Sequence, residues 1–233
     1  MTLKLRILGG LILAAGIASA VPLCQSTGTY ADLMAVGACS INDKLFSGFH
    51  YMPTVTGGAT PVQAEDFAYQ VVDAGSMAIG FDFSFALAAL PGQSNDIRLS
   101  FNIQSMAGAT ITSNHLVMTG FAVGNAVASV AETYCLDATL MTCPPGSSGS
   151  LSTVNGLGGS FNQLVDAATF PGVSLLSVTK DINATAGEGG FATISGVTET
   201  VGQSDQNVPE PVNFLLIGSG LTLLGWLGGR RRR

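Results

Sequence analysis

The chain has 233 residues, of which 47% are hydrophobic and only 10% charged, and a formal net charge of −6. Lys4 and Arg6 lie at its start and Arg230 to Arg233 at its end. Only Lys44, Arg98 and Lys180 therefore stand against fourteen carboxylates across residues 21–207, a net of about −11 for the body. So acidic a body repels polyanions, which excludes nucleic acid as a partner.

In chain order, residues 1–20 (MTLKLRILGGLILAAGIASA) combine a basic start, an apolar run from Ile7 to Ile17 and the end Ala18-Ser19-Ala20. These are the parts of a secretory signal peptide, with the small Ala18 and Ala20 suiting signal peptidase and cleavage expected after Ala20. The apolar run is shorter than the roughly 20 residues a membrane span needs. The chain is expected to be exported, with signal peptidase as its first partner.

The body follows, residues 21–199, the size of one domain. Its four cysteines form two close pairs in sequence, Cys24 with Cys39 and Cys135 with Cys143. An even count in an exported chain favours disulfides, and local closure of each pair is expected because short loops close readily. Neither C-x₂-C spacing nor neighbouring histidines point to zinc, so no metal site is expected.

Apolar and polar residues alternate through most of the body. In FDFSFAL (81–87), Phe81, Phe83, Phe85 and Leu87 share one side. In IRLSFNIQ (97–104), Ile97, Leu99, Phe101 and Ile103 do the same. Period two with turn residues between (Pro91-Gly92, Asn95-Asp96) predicts two adjacent antiparallel strands, each with one buried face. Further strands are expected within 46–51, 66–72, 116–123, 128–136, 173–182 and 191–201. Short helices are expected at 31–38 and 161–168. Many strands separated by Gly-rich turns predict an all-β fold, a two-sheet β-sandwich of jelly-roll type.

A polar stretch, 200–207, is expected as a linker. The chain then ends in VPEPVNFLLIGSGLTLLGWLGGRRRR (208–233). Val212 to Leu227 carries no charge and as a helix would span about 24 Å, close to a hydrocarbon core. A single C-terminal transmembrane helix is expected there. Arg230, Arg231, Arg232 and Arg233 act as its cytoplasmic stop signal, leaving the acidic body outside. Pro209 and Pro211 hold Glu210 in extended backbone ahead of the span, where a processing enzyme can grip it.

Val208-Pro209-Glu210-Pro211, the Leu/Gly-rich span and the arginine cluster resemble the PEP-CTERM sorting signal of Gram-negative bacteria, also called an ice-binding protein C-terminal domain. The resemblance covers about 26 residues at the end of the chain. It implies an exosortase as partner, membrane anchoring in the periplasm before processing, and a final place on the cell surface or in a polysaccharide-rich matrix. The stretch CSINDKLFSGFHY (39–51) also resembles a segment near the start of several such passengers. Locally it reads as the start of a strand with Phe46, Phe49 and Tyr51 packed inward and Cys39 pinning one end.

No catalytic residues and no cofactor are expected. His50 and His115 read as strand-end residues, GSSGS (146–150) as a plain loop, and Glu65, Asp66, Asp73, Asp82 and Glu132 as solvated surface. The reading is a non-enzymatic surface or matrix protein. The alternative is a carbohydrate-binding module, with Asn95-Asp96 and Asp181-Ile182-Asn183 as oxygen ligands for calcium and exopolysaccharide as partner. Aromatic platforms for sugars are scarce, since Trp226 lies in the tail and only Tyr30, Tyr51, Tyr69 and Tyr134 remain.

Overall fold

The computed structural model describes residues 21–75, 78–106, 108–156 and 161–204. Along the chain it forms β1 (Thr27–Thr29), the helix α1 (Tyr30–Val36), β2 (Ala38–Ile41), β3 (Lys44–Thr56), β4 (Ala68–Asp73), β5 (Ile79–Ala89) and β6 (Ser94–Ser105). It continues through β7 (Thr110–Val123), β8 (Ala126–Leu136), β9 (Ser148–Gly156), β10 (Phe161–Gln163), β11 (Val165–Val173), β12 (Leu175–Ala186) and β13 (Phe191–Ser204). Two antiparallel sheets result, one ordered β1-β4-β5-β13-β7-β11 and the other β10-β9-β8-β12-β6-β3-β2. They face each other as a β-sandwich.

The alternation seen in the sequence places the core. Phe81, Phe83 and Leu87 of β5 are fully buried from one sheet, and Ile97, Leu99 and Ile103 of β6 from the other. Here the structure corrects an expectation: β5 and β6 do not pair edge to edge. Pro91-Gly92 lets the chain cross from one sheet to the other, so the two apolar rows meet face to face across the sandwich. A tight aromatic cluster fills this end, with the Phe81 ring centroid 4.9 Å from Phe46, 5.3 Å from Tyr69 and 5.6 Å from Phe83.

The weaker strand expectations fall largely on strands, several of them longer than expected, but Asp66 and Phe67 precede β4 and the stretch 173–182 joins the end of β11 to β12 across Ser174. The helix expected at 31–38 is α1, opened by a reciprocal cap in which Thr29 Oγ1 accepts from the Asp32 N–H and Asp32 accepts from the Thr29 N–H. The helix expected at 161–168 is instead strand, β10 and the start of β11, because β7 and β9 offer open edges that those residues pair with. Thr200–Ser204 also belong to strand, since β13 runs on into the segment expected as linker and Val201 is buried.

In β3, Phe46 is buried and Phe49 and Tyr51 pack against the core, as the sequence predicts. The odd spacing from 46 to 49 needs a bulge, which lies between Ser47 and His50 with Gly48 at φ +69°. No helix among the described residues is long and apolar enough to cross a membrane. The expected span, Val212–Leu227, lies outside those residues.

Candidate functional site

The outer face of the seven-stranded sheet is a polar lattice built by strand register. Met52, Arg98 and Asp181 form one row across β3, β6 and β12; His50, Ser100 and Thr179 form the next; Thr54, Asp96 and Asn183 form a third. Each of these residues alternates with a core residue, which is why the hydroxyls, amides and charges emerge together. Asn183 donates to Asp96 at 3.3 Å, and Ser177 Oγ donates to Asn102 Oδ1 at 2.6 Å. Partial burial raises the Asp96 carboxyl above its ordinary range; the Asn183 amide works against this and the nearby Asp181 carboxyl reinforces it.

One end of this face is walled by the loop 137–147. The Cys135–Cys143 disulfide closes it, and Asp137 ties its root by accepting from the Ser174 N–H at 2.8 Å. Met141 stands on the crest, 97% exposed. Between loop and sheet lies a shallow cleft of about 460 Å³, bordered by Gly48, Arg98, Asn102, Thr139, Met141 and Thr179. A face of alternating donors and acceptors beside a shallow cleft suits a ligand rich in hydroxyl groups.

The sequence-predicted residues are distributed as follows. Cys24 is bonded to Cys39 and Cys135 to Cys143, the local pairing expected. Asp96, Asp181 and Asn183 come together on the outer face, whereas Asn95 turns inward and donates to the Thr60 carbonyl at 2.8 Å. No group of three or more His, Cys, Asp or Glu among the described residues is arranged to hold a metal ion. His50 and His115 lie on different sheets, and His115 contacts Ser113 Oγ at 3.0 Å. Glu65, Asp66, Asp73 and Asp82 are exposed. Tyr30, Tyr69 and Tyr134 are buried, so they offer no platform for a sugar ring. Ala18, Ala20, Val208, Pro209, Glu210, Pro211 and Arg230 to Arg233 lie outside the described residues.

Glu132 departs from expectation. It is not on the surface but buried inside the sandwich, in a cluster that sequence reading missed. Lys180 of β12 stands directly across from Glu132 of β8 on the inner face of one sheet, and Glu199 of β13 and Asn114 of β7 meet them from the other. Lys180 Nζ donates to Glu132 Oε2 and, at 2.6 Å, to Glu199 Oε2. Asn114 Nδ2 donates to Glu132 Oε1. Burial drives the Lys180 ammonium to shed its proton, but the two carboxylates outweigh burial and raise it above its ordinary value. Burial first, and the Glu132 charge second, hold Glu199 well above the ordinary carboxylate range. Burial thus disfavours the charged form of Glu199, and the Lys180 ammonium donates to both carboxyls. A signal existed: Glu132 falls in the row of Val130 and Tyr134, Lys180 in that of Val178 and Ile182, and Glu199 in that of Val197 and Val201.

No protein family matches the chain, and no curated protein does. Among solved structures it is similar to TmCBM61 in complex with β-1,4-galactotriose, at 13% identity and TM-score 0.33, over 64% of this chain and 86% of that one. It is also similar to the enzymatically active domain of bacteriophage CBA120 tailspike protein 4, at 13% identity and TM-score 0.29, over 66% of this chain and 19% of that one. A third is Trichoderma harzianum endoglucanase 3 of family GH12, at 11% identity and TM-score 0.24, over 66% and 97%. At these scores the likenesses carry no argument about activity.

Proposed function

We propose that this chain is an exported, non-enzymatic protein of the cell surface or extracellular matrix, delivered through its C-terminal signal by an exosortase. We further propose that its sandwich holds polysaccharide on the outer face of the seven-stranded sheet. The observation that carries the second part is the pair of neighbouring rows, Arg98 with Asp181 and Asp96 with Asn183, beside the cleft that Arg98 borders under the Cys135–Cys143 loop. Glu132 and Glu199 are sealed from solvent, so we give them no role on a substrate. Two disulfides suit an oxidising, extracytoplasmic place.

The test is retention of the exported protein on exopolysaccharide from the producing strain, with and without EDTA. Saturable retention that weakens about fivefold in Arg98→Ala or Asp181→Asn supports the assigned face, since exposed contacts of this kind contribute on the order of 1 kcal/mol each. Loss in EDTA shows that retention needs a divalent cation. No retention of the wild-type protein overturns the glycan part.

A further inference from the structure

The geometry points to an intramolecular amide bond between Lys180 Nζ and Asn114 Cγ, formed by the folded protein itself and joining β12 of one sheet to β7 of the other. Three observations support this. The amine and the carboxamide come from opposite sheets and are both fully buried. A single carboxylate, Glu132, touches both: Oε2 accepts from Lys180 Nζ and Oε1 from Asn114 Nδ2. The cluster is also incompletely satisfied as it stands, because Asn114 Oδ1 and Glu199 Oε1 are buried without a hydrogen-bond partner.

The reaction needs no external reagent. Lys180 passes one proton to Glu132 along their existing hydrogen bond, which frees a nucleophilic amine in a water-free interior. The amine attacks Asn114 Cγ, the Nζ–Cγ bond forms, and the Cγ–Nδ2 bond breaks as Glu132 delivers a proton to the departing nitrogen. Ammonia leaves. Of the ammonium's three protons, one stays on the new amide, one departs on ammonia and one ends on Glu132, so charge balances. Glu199 Oε2 accepts from the same amine at 2.6 Å, and burial disfavours its charged form.

Lys44 is the internal contrast. It is equally buried and meets Gln203 Oε1 from the other sheet, but its carboxylate Asp43, at 2.8 Å, is partly exposed. No carboxylate among the described residues bridges Lys44 to the Gln203 amide, so no bond is assigned there. The Lys180–Asn114 bond would add what the disulfides lack. Cys24–Cys39 and Cys135–Cys143 close loops of 15 and 8 residues, and neither joins the two sheets.

The experiment is peptide mapping of the full exported chain, recovered from producing cells, reduced, alkylated, denatured and digested. The expected result is one peptide pair linked through Lys180 and Asn114, lighter than the sum of its parts by about 17 Da, the mass of the ammonia released in such an aminolysis. Linear peptides carrying a free Lys180 amine and an intact Asn114, at full recovery, would overturn the proposal. The wild-type map decides it without any variant. Glu132→Gln, which keeps both partners, should slow linkage at least about a hundredfold; undiminished linkage would overturn the role given to Glu132. Should that variant not accumulate, Glu132→Asp serves, with the same two readings.

Discussion

Replacing Glu199 by Gln should change how stability responds to pH, and the sign follows from the buried cluster. Glu199 sits well above its ordinary value of 4.5 in the folded state. Between those two values the native chain holds a proton that the unfolded chain has lost. Its contribution to stability is therefore complete below about pH 4.5 and is lost as pH rises toward the folded value, with a slope of up to ~1.4 kcal/mol per pH unit. Gln has the same shape and stays neutral, so Glu199→Gln removes that slope while leaving one carboxylate for the Lys180 ammonium. Burial is the leading cause, so the sign is the same with or without a Lys180–Asn114 bond. Urea unfolding of both proteins at half-unit steps from about pH 5 to 7 should show the variant gaining on the wild type as pH rises. Parallel curves would refute the reasoning, and so would a variant that loses ground as pH rises.

Gly48→Ala should cost about 2 kcal/mol, because φ is +69° and the new Cβ would lie 2.7 Å from Asn102 Nδ2. Gly37→Ala, at φ +71° with nothing within 4 Å, should cost about half that, and the two urea midpoints compare them. Removing Cys24–Cys39 should cost about 3 kcal/mol and removing Cys135–Cys143 about 2.5 kcal/mol, from their loop lengths, as read by unfolding of the Cys→Ser pairs. Glu210→Ala should leave an unprocessed, membrane-bound form in the producing cell. Identical processing of mutant and wild type on a gel would count against exosortase recognition of Pro209-Glu210-Pro211.

Much of this protein is written in short-range pattern. The alternation in Ile97, Leu99, Phe101 and Ile103 determines that β6 is a strand with one buried face, because side chains on extended backbone point alternately to either side. Closeness in sequence marks the two cysteine pairs, and the order of motif, apolar span and arginines carries the sorting expectation. What the pattern could not decide is which strand lies against which. Edge-to-edge pairing of β5 with β6 and face-to-face packing both satisfy the same alternation, and only the closed sandwich selects the second. The stretch 161–168 reads as weak helix in isolation but becomes strand where β9 and β7 present unpaired edges, since hydrogen bonding to a neighbour outweighs a small local preference. Lys180, Glu132, Glu199 and Asn114 sit far apart along the chain. Glu132 alone reads as solvated, because a lone buried charge is prohibitive. Only when two sheets bring opposite charges and a carboxamide to one point does burying them become tolerable.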